Sequence, residues 1–480
     1  MLKVKLVNHE YFYGLSDILR LFWNGISEHH EQQEIICEEC DTDIVITTEV
    51  DQEEVVYTKV NFLDNPALDF NYSDISSLEK LDYKRELKRQ LYMVLSHITK
   101  KSFPWGCLTG IRPTIIAGET KDKDEMANLY LVRPDKAELA FKVKENEDRV
   151  LKEIPQEDIN IYIGVPFCPS RCEYCSFISQ DIGHHIGRLV DYEKALTNEI
   201  SIIGGRLNRR LSSLYIGGGT PTVFEDKLFE HLLKTAYDRL PIDCNTEVTI
   251  EAGRPDTITE YKLDAIKELG IQRICINPQT MNSDTLMKLN RKHSAEDIYR
   301  TYEMAKKRGI SIINMDLIAG LKYEEPEELI KSVNKLLELQ PSNITIHTLY
   351  KKRRAAMNRE DIIGRFREDD ALDHAVSKAY ELLMEKDYIP YYMYRQKDTG
   401  HGLENVGFAL KGQECKYNVA MMTDGRDVLS FGAGGMSKRI FEETSPGKFR
   451  LERHSCVKDV ILYMQNVEGI AKGKIDFFEL

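Results

Sequence analysis

The sequence predicts an α/β protein built on an open, partial (β/α)6 barrel, with an N-terminal α+β domain before it and a C-terminal α+β region after it. The first observation is that six strand-like segments alternate with helix-like segments between about residues 156 and 350. Such alternation predicts parallel strands joined by right-handed crossovers, and six units are too few to close an eight-stranded barrel. The second observation is that neither flank keeps the alternation. We therefore expect domains over residues 1–155, 156–355 and 356–480.

The six predicted strands are rich in Ile, Val, Tyr and Thr and are bounded by turn residues. They are IYIGVPF (161–167), SLYIGGG (213–219), EVTIEAG (247–253), RICINPQ (273–279), ISIINMDLIAG (310–320) and ITIHTLY (344–350). Parallel strands of this kind bring their carboxyl ends to one rim, which is where a functional site is expected.

The helices between these strands have their own start and stop signals. Thr257 with Glu260, and Ser294 with Asp297, have the spacing of capping boxes. Gly270 stands just after a helical pattern, where a C-terminal glycine is expected.

The two flanks mix strands and helices. The N-terminal block begins as β–α, continues with strand candidates at 43–50 and 54–62, and then becomes helical; the sequence does not indicate its role. After the barrel come a basic stretch at 351–354, a long helix around 367–386, and the strand candidate VLSFGAGGMSKRI at 428–440.

Composition limits the partners and the location. The chain has 480 residues and a formal charge of −13, so it lacks the broad basic footprint of a nucleic-acid-binding protein. No apolar run approaches the roughly 20 residues of a membrane-spanning helix, and the N-terminus lacks the apolar core of a signal peptide. We therefore expect a cytoplasmic protein with no nucleic-acid partner and no membrane span.

Three cysteines stand together directly after the first predicted strand. The segment GVPFCPSRCEYCSF places Cys168, Cys172 and Cys175 in a C-x3-C-x2-C array. A structural zinc site would usually need a fourth ligand and two separated pairs, and three core cysteines would not lie among prolines and charged residues. A 4Fe–4S cluster fits one compact loop, and three ligands for four irons leave one iron open. The sequence therefore predicts such a cluster.

Polar or glycine-rich positions recur where the other predicted strands end. The second strand ends in Gly217-Gly218-Gly219-Thr220, where missing side chains let backbone groups approach a ligand closely. The following strands bring Glu251, Gln279, Asp316 and His347 to their ends. Each of these could be structural alone, but four in register beside the cysteine loop indicate a ligand site.

The cysteine array, with Tyr174 before its last cysteine, resembles that of radical S-adenosylmethionine enzymes. The resemblance implies two cofactors, a 4Fe–4S cluster and S-adenosylmethionine. It also implies that the open iron chelates the amino and carboxylate groups of S-adenosylmethionine and that electron transfer yields a 5′-deoxyadenosyl radical. The cofactors carry this chemistry, while the protein supplies position and a dry cavity.

A narrower resemblance connects the segments YIGVPFC, GGGTPT, NRKHS and NMDLIAGL to the oxygen-independent coproporphyrinogen III oxidase group. It covers roughly residues 160–440. The positions that contact S-adenosylmethionine in that group fall on Tyr162, Gly218, Gly219, Thr220, Glu251, Gln279, Arg291 and Asp316. The implied roles are Glu251 and the glycine backbone for the methionyl ammonium and Arg291 for its carboxylate. Asp316 and Gln279 would bind the ribose or adenine.

The sequence differs from typical members of that group at two positions, and segments outside the barrel resemble one branch of it. Typical oxidases of the group have His at the position of Gly164 and Cys at the position of Phe177. The Phe variant also occurs in the group's haem-chaperone branch. Segments at 104–114, 391–397, 403–409 and 431–438 resemble coproporphyrinogen dehydrogenases of the HemZ type, so the resemblance extends over nearly the whole chain.

The resemblance implies oxidative decarboxylation of coproporphyrinogen III to protoporphyrinogen IX. Coproporphyrinogen III would be the tetrapyrrole substrate, and flavodoxin or ferredoxin the kind of electron donor. Alternatives are a haem-binding chaperone on the same barrel, or a radical methyltransferase or haem-opening enzyme acting on tetrapyrroles.

Two weaker signals remain. Cations near the barrel mouth could pair with the substrate's propionates or form a solvated face; they are Lys351, Lys352, Arg353, Arg354 and Arg395. Cys37 and Cys40 form a C-x2-C pair with no partner pair at metal spacing, which favours two cysteines in a hairpin or loop.

Overall fold

The computed structural model describes residues 1–72, 81–110, 112–175, 180–181, 186–349, 370–396, 402–445 and 448–480. Its chain forms two compact units. Unit 1 comprises residues 1–144 with 394–404, and unit 2 comprises residues 145–393 with 405–480. Within the described ranges, no helix is both long enough and apolar enough to cross a membrane.

Unit 1 is an α+β unit, as the sequence predicts. Its strands are β1 (Leu2–Val7), β2 (Ile26–His29), β3 (Glu34–Cys37), β4 (Ile44–Val50), β5 (Val56–Phe62) and β6 (Phe70–Tyr72). They form one sheet in the order β2-β3-β1-β4-β5-β6, in which β1 and β4 are parallel and the other pairs antiparallel. Its helices are α1 (Phe12–Phe22), α2 (Tyr83–Thr99), α3 (Pro113–Glu119) and α4 (Lys123–Tyr130), and α5 (Pro134–Lys152) crosses the boundary between the units.

Unit 2 contains the six predicted barrel strands. They are β7 (Ile159–Val165), β10 (Leu211–Gly218), β11 (Glu247–Glu251), β12 (Arg273–Cys275), β13 (Ile312–Ala319) and β14 (Asn343–Thr348). They lie side by side in chain order, and every neighbouring pair is parallel. The parallel (β/α)6 arrangement predicted from the alternation is confirmed.

The C-terminal region extends this sheet at both edges. Its strands are β15 (Tyr388–Arg395), β16 (Glu404–Leu410), β17 (Asp427–Phe431), β18 (Met436–Ser445) and β19 (Lys448–Ser455). Among the described residues the sheet has 11 strands, in the order β15-β16-β14-β13-β12-β11-β10-β7-β17-β18-β19. β17 pairs parallel with β7, and β16 pairs antiparallel with β14. The division therefore differs from the predicted three segments, because the open barrel's edge strands are paired by residues from 356–480.

Helices connect and cover the strands of unit 2. They are α6 (Ile186–Gly204), α7 (Asp226–Arg239), α8 (Glu260–Glu268), α9 (Ser283–Lys288), α10 (Ala295–Lys307), α11 (Glu327–Leu339), α12 (Ala371–Met384), α13 (Lys416–Met422), α14 (Val460–Gln465) and α15 (Val467–Phe478). The predicted capping box of Ser294 and Asp297 is present at α10. The other prediction was wrong: Thr259 caps α8, and the Thr257 hydroxyl donates to the Arg254 carbonyl instead.

A buried ion pair fixes the C-terminal helix to the barrel. The Lys474 ammonium lies 2.5 Å from the Glu199 carboxylate, and both side chains are fully buried. Glu199 also accepts hydrogen bonds from the Tyr463 hydroxyl at 2.6 Å and from the Gly432 N–H at 2.9 Å. Lys474 donates to the Ser430 carbonyl at 2.6 Å. The sequence segment around Gly432 is therefore part of the fold's framework.

Candidate functional site

The cysteine loop follows β7 at the carboxyl-end rim of the barrel. Cys168 ends the short strand β8 (Phe167–Cys168), which pairs with β9 (Gln180–Asp181). Cys168 and Cys175 are partly exposed, whereas Cys172 is buried, and none of the three forms a disulfide. The Cys175 N–H donates to the Cys172 carbonyl at 3.1 Å. One tight loop therefore presents three thiols, two of which reach solvent-accessible space.

Two buried guanidinium groups lie beside Cys172. Its sulfur is 3.7 Å from Arg254 Nη1 and 4.0 Å from Arg291 Nη1. Arg254 also donates to the Ser170 hydroxyl at 3.2 Å and to the Asp256 carboxylate at 2.9 Å. A cysteine binds metal as a thiolate, and the two guanidinium groups place positive charge next to this sulfur. The sequence analysis missed Arg254, although a cation directly after the third strand end could have indicated it.

The end of β10 packs against the cysteine loop so closely that only glycine fits. Gly218 has a φ of +120°, and an added Cβ there would lie 2.8 Å from the Val165 carbonyl oxygen. A Cβ on Gly219 would lie 2.4 Å from the Phe167 carbonyl oxygen. The next residue, Thr220, is buried and places its hydroxyl 3.6 Å from the Cys168 sulfur. The glycine run thus brings backbone groups of β10 next to the first cysteine.

Glu251 stands at the end of β11 with both carboxylate oxygens hydrogen-bonded. One accepts from the Tyr215 hydroxyl at 2.6 Å and the other from the Gly218 N–H at 3.0 Å. Burial raises the pKa of Glu251 to about 7; the hydrogen bonds oppose this shift, and the nearby Asp316 carboxylate adds to it. Glu251 is therefore a carboxylate for which a bound cation would be favourable.

Gln279, Asp316 and His347 continue the rim. Gln279 has a left-handed backbone, with φ of +69°, and its N–H donates to the Asp316 carbonyl at 2.8 Å. A non-glycine residue in that region is uncommon and often belongs to a functional site. The Asp316 carboxylate lies 3.8 Å from the His347 imidazole. Neighbouring parallel strands therefore gather these predicted residues on one rim.

Three tyrosines stack inside the barrel. Tyr162 and Tyr215 pair in register on β7 and β10, with ring centroids 6.2 Å apart. Tyr417, at the start of α13, stacks on both, at 5.9 Å from Tyr162 and 4.7 Å from Tyr215. The sequence analysis missed Tyr215 and Tyr417; the strand alternation could have indicated Tyr215, but Tyr417 comes from the C-terminal region.

Arg291 is anchored by protein groups on most of its nitrogens. It donates to the Tyr174 hydroxyl at 2.9 Å, the Gly253 carbonyl at 2.8 Å and the Asn277 carbonyl at 2.5 Å. Among the described residues, its buried Nε and the buried Asn277 Oδ1 have no hydrogen-bond partner. Unpaired buried polar atoms are costly, so these two indicate a place for a polar ligand.

The predicted substrate cations are not gathered at this rim by the described part of the chain. Lys351, Lys352, Arg353 and Arg354 lie outside the described residues, as does Phe177. Arg395 belongs to unit 1, where it is buried, donates to the Leu108 and Gly402 carbonyls, and stacks on the Trp105 ring. Its observed contacts are those of a structural arginine.

The thiols suit a cluster better than a single metal ion. Within the described ranges, no group of three or more His, Cys, Asp or Glu side chains could hold one metal ion. In a 4Fe–4S cluster each thiolate binds a different iron, so the three sulfurs need not converge on one point. The compact loop, the guanidinium groups at Cys172 and the unpaired polar atoms nearby fit a cluster with a polar ligand beside it.

Comparisons with known proteins agree with this geometry. Residues 162–335 match the Radical SAM superfamily. The chain is 35% identical over 402 residues to the oxygen-independent coproporphyrinogen-III oxidase-like protein HemZ of Bacillus subtilis (strain 168), covering 80% of this chain and 78% of the relative. It is 28% identical to the haem chaperone HemW of Haemophilus influenzae, covering 62% and 74%.

The fold matches a solved structure. Coproporphyrinogen III oxidase (HemN) from Escherichia coli, described as a radical SAM enzyme, gives a TM-score of 0.51 at 19% identity, covering 69% of this chain and 73% of that one. This likeness confirms the predicted fold class.

Proposed function

Because the chain belongs to the HemZ-like branch of the oxygen-independent coproporphyrinogen III oxidase family, within the radical SAM superfamily, we propose that it oxidatively decarboxylates coproporphyrinogen III to protoporphyrinogen IX. The observation that carries the proposal is the meeting of the cysteine loop, Gly218 and Glu251 at one rim of the parallel barrel. The family's cofactors are a 4Fe–4S cluster and S-adenosylmethionine. Their chemistry needs no catalytic side chain beyond the groups that hold them.

We propose a set of cofactor contacts that the geometry supports. Cys168, Cys172 and Cys175 hold the cluster, and the guanidinium groups of Arg254 and Arg291 lie beside Cys172. Glu251 receives the methionyl ammonium, and its two present hydrogen-bond donors keep the carboxylate aimed at the glycine run. When bound, the cluster supplies one electron for cleavage of S-adenosylmethionine to the hydrogen-abstracting 5′-deoxyadenosyl radical.

The remaining rim residues orient and enclose the bound cofactor. Arg291 offers its unpaired Nε to the methionyl carboxylate while its other nitrogens stay anchored. Gln279 and Asp316 offer hydrogen bonds to ribose or adenine. Thr220 offers its hydroxyl to the bound S-adenosylmethionine next to Cys168. Tyr162, in the tyrosine stack, provides a rigid apolar wall that excludes water.

The proposed reaction takes place on the propionate side chains of the substrate, so the protein must also bind these carboxylates. A hydrogen is taken from the β-carbon of a propionate, after which loss of carbon dioxide and one electron leaves a vinyl group; two propionates react. The propionates need cations, for which Lys351, Lys352, Arg353 and Arg354 remain candidates. We also propose a cytoplasmic location, because cysteines outside disulfides suit a reducing compartment. The electron donor that we propose is a protein such as flavodoxin or ferredoxin.

One anaerobic assay tests the proposal. Reconstituted protein, a reductant, S-adenosylmethionine and coproporphyrinogen III are incubated, and the tetrapyrroles are analysed for vinyl products. We expect vinyl products from the wild type and none from Cys172→Ala. Failure to form vinyl groups while S-adenosylmethionine is cleaved would refute the decarboxylase.

A second candidate is a haem carrier, which the likeness to HemW supports. It predicts stoichiometric binding of haem in the same preparation without any change to coproporphyrinogen. Methylated or ring-opened tetrapyrroles in the product analysis would instead indicate the methyltransferase or haem-opening alternative.

A further inference from the structure

Unit 1 contains a cavity that the proposed reaction does not use. Its volume is about 270 Å³, and all of its lining residues belong to this unit. α2, α3 and the end of α4 form its walls together with Cys107, Leu108 and Gly110. Described residues of the segment that resembles the HemZ type therefore line a concave surface; they are Cys107, Leu108, Gly110, Arg112 and Pro113.

Three cationic side chains line this cavity: Arg85, Lys88 and Arg112. Arg85 is held in place, because it donates to the Glu119 carboxylate at 2.7 Å and to the Tyr130 hydroxyl at 3.0 Å. Lys88 differs: no hydrogen bond or ion pair joins its ammonium to another described residue. The cavity therefore contains at least one positive charge that the described protein groups do not neutralise.

The surroundings of Lys88 make that charge costly. Burial lowers the pKa of Lys88, and the guanidinium groups of Arg395 and Arg85 act in the same direction against the influence of Cys107 and Asp17. Burial also raises the pKa of Cys107 to about 12, so this thiol stays neutral and supplies no counter-charge. Asp17 pairs with Arg20 at 3.3 Å. A partly buried ammonium without a partner among the described residues is unfavourable, and a bound anion would relieve the cost.

The rest of the lining is apolar. Leu108, Pro113, Ile115, Ile116 and the Tyr130 ring face the cavity. Guanidinium and ammonium groups recognise carboxylates and phosphates, whereas these walls favour an apolar body. The volume lies just below the roughly 300–1,000 Å³ of sites for drug-sized ligands, which excludes a whole tetrapyrrole.

We propose that this cavity binds a small organic anion, a carboxylate or a phosphate ester with a short apolar body, whose charged group contacts Lys88 and Arg112. All lining residues of the cavity belong to unit 1, and the proposal does not depend on the proposed decarboxylation. It gives the N-terminal unit a ligand-binding role.

The test measures binding to the full-length protein by isothermal titration calorimetry. Benzoate and phenyl phosphate are the probes, since they share an apolar ring and differ in the anionic group; inorganic phosphate lacks the ring. We expect saturable binding of benzoate, phenyl phosphate or both, at least tenfold tighter than that of inorganic phosphate. The tighter of the two organic probes identifies the anion class.

Lys88→Met removes the charge and keeps the length of the side chain, and it should weaken the tighter probe about tenfold or more, the effect of losing one charge-assisted hydrogen bond. Lys101→Met is the matched control, because Lys101 is exposed beyond the end of α2 and does not line the cavity. Arg112→Gln gives an independent second variant with the same expected loss.

Three results would overturn the proposal. The first is that neither organic probe binds saturably up to about 10 mM, a concentration range that covers weak sites. The second is that inorganic phosphate binds as tightly as both organic probes. The third is that the affinity is unchanged in both Lys88→Met and Arg112→Gln. A thermal unfolding scan of each variant shows whether the unit remains folded, and a folded Arg112→Gln protein keeps the test decisive if Lys88→Met does not fold.

Discussion

The affinity for S-adenosylmethionine should depend on pH through Glu251. Burial raises the pKa of this carboxyl from its ordinary 4.5 to about 7, so part of it is protonated at neutral pH in the ligand-free protein. A methionyl ammonium binds the ionised form. Affinity should therefore rise with pH through the folded pKa. By the same linkage, the stability that the retained proton contributes is present below the unfolded pKa and is lost as pH rises through about 7.

The size of the effect follows from the ionised fraction. With a pKa of about 7, roughly 0.76 of Glu251 is ionised at pH 7.5 and roughly 0.09 at pH 6, so the affinity should fall about eightfold over that interval. Glu251→Gln cannot ionise, and it keeps the size of the side chain: its amide oxygen can accept from the Gly218 N–H while its NH2 group donates to the Tyr215 hydroxyl oxygen. This variant should bind more weakly at pH 7.5, at a cost of about 2–5 kcal/mol for leaving the ammonium unpaired, and its affinity should not vary over this interval.

Equilibrium dialysis of labelled S-adenosylmethionine against the anaerobic, oxidised, reconstituted protein measures this affinity without turnover. Iron content is determined at both pH values so that cluster loss is not taken for weaker binding. Glu303→Gln is the control, since Glu303 is exposed on α10, and it should keep the wild-type profile. A flat wild-type profile, or the same slope in Glu251→Gln, would refute the assignment of the ammonium to Glu251.

Three further predictions concern the cluster loop and the framework. Reconstituted iron–sulfur absorbance should be lost in each of the variants Cys168→Ala, Cys172→Ala and Cys175→Ala. It should be retained in Cys37→Ala and Cys40→Ala, which replace buried cysteines outside the loop. A full cluster in the variant that carries all three loop substitutions would contradict the loop as the binding site. Gly219→Ala should lower iron incorporation, because its Cβ would lie 2.4 Å from the Phe167 carbonyl oxygen. The control Gly205→Ala should not lower it, because a Cβ there meets only the Ser201 carbonyl oxygen, at 3.7 Å. Equal iron content in both variants would contradict the close packing at Gly219. Lys474→Met should lower the free energy of unfolding by about 3–5 kcal/mol in denaturant unfolding, because Glu199 would be buried without its partner. The control Lys472→Met, on the exposed face of α15, should change it little, and replacing Glu199 with Leu in the Lys474→Met variant should restore much of the loss. Equal stability of Lys474→Met and Lys472→Met would contradict the role of the ion pair.

The sequence predicted the parallel barrel because each strand carries a local signal. The six barrel strands, β7 and β10 to β14, begin and end within a few residues of the predicted segments, since β-branched runs and flanking turns are local features. The pairing of β17 with β7 could not be predicted, because it joins residues about 270 positions apart in the chain (Asp427 with Ile159) and depends on the open edge of the barrel. Competing caps explain the error at α8, where Thr259 lies two residues after the predicted Thr257.

For the candidate site, the sequence predicted which residues lie at consecutive strand ends, because parallel strands bring their carboxyl ends to one rim. That these residues bind S-adenosylmethionine stays a prediction. Arg254 was missed because its effect is exerted across space on Cys172, and Tyr417 because it reaches the barrel from the C-terminal region. The family resemblance assigned Arg291 to the methionyl carboxylate, which stays a prediction. The sequence could not indicate that Tyr174 and the Gly253 and Asn277 carbonyls engage its two terminal nitrogens, so that only Nε has no partner among the described residues.

The central claim is that one cysteine loop holds a cluster with one iron open to S-adenosylmethionine. Electron paramagnetic resonance of the reduced, reconstituted protein, recorded with and without S-adenosylmethionine, tests it directly. We expect the signal of a reduced 4Fe–4S cluster, whose shape changes when S-adenosylmethionine is added and which is lost in Cys172→Ala. A cluster signal that S-adenosylmethionine leaves unchanged, or one that persists in Cys172→Ala, would contradict an open iron held by this loop.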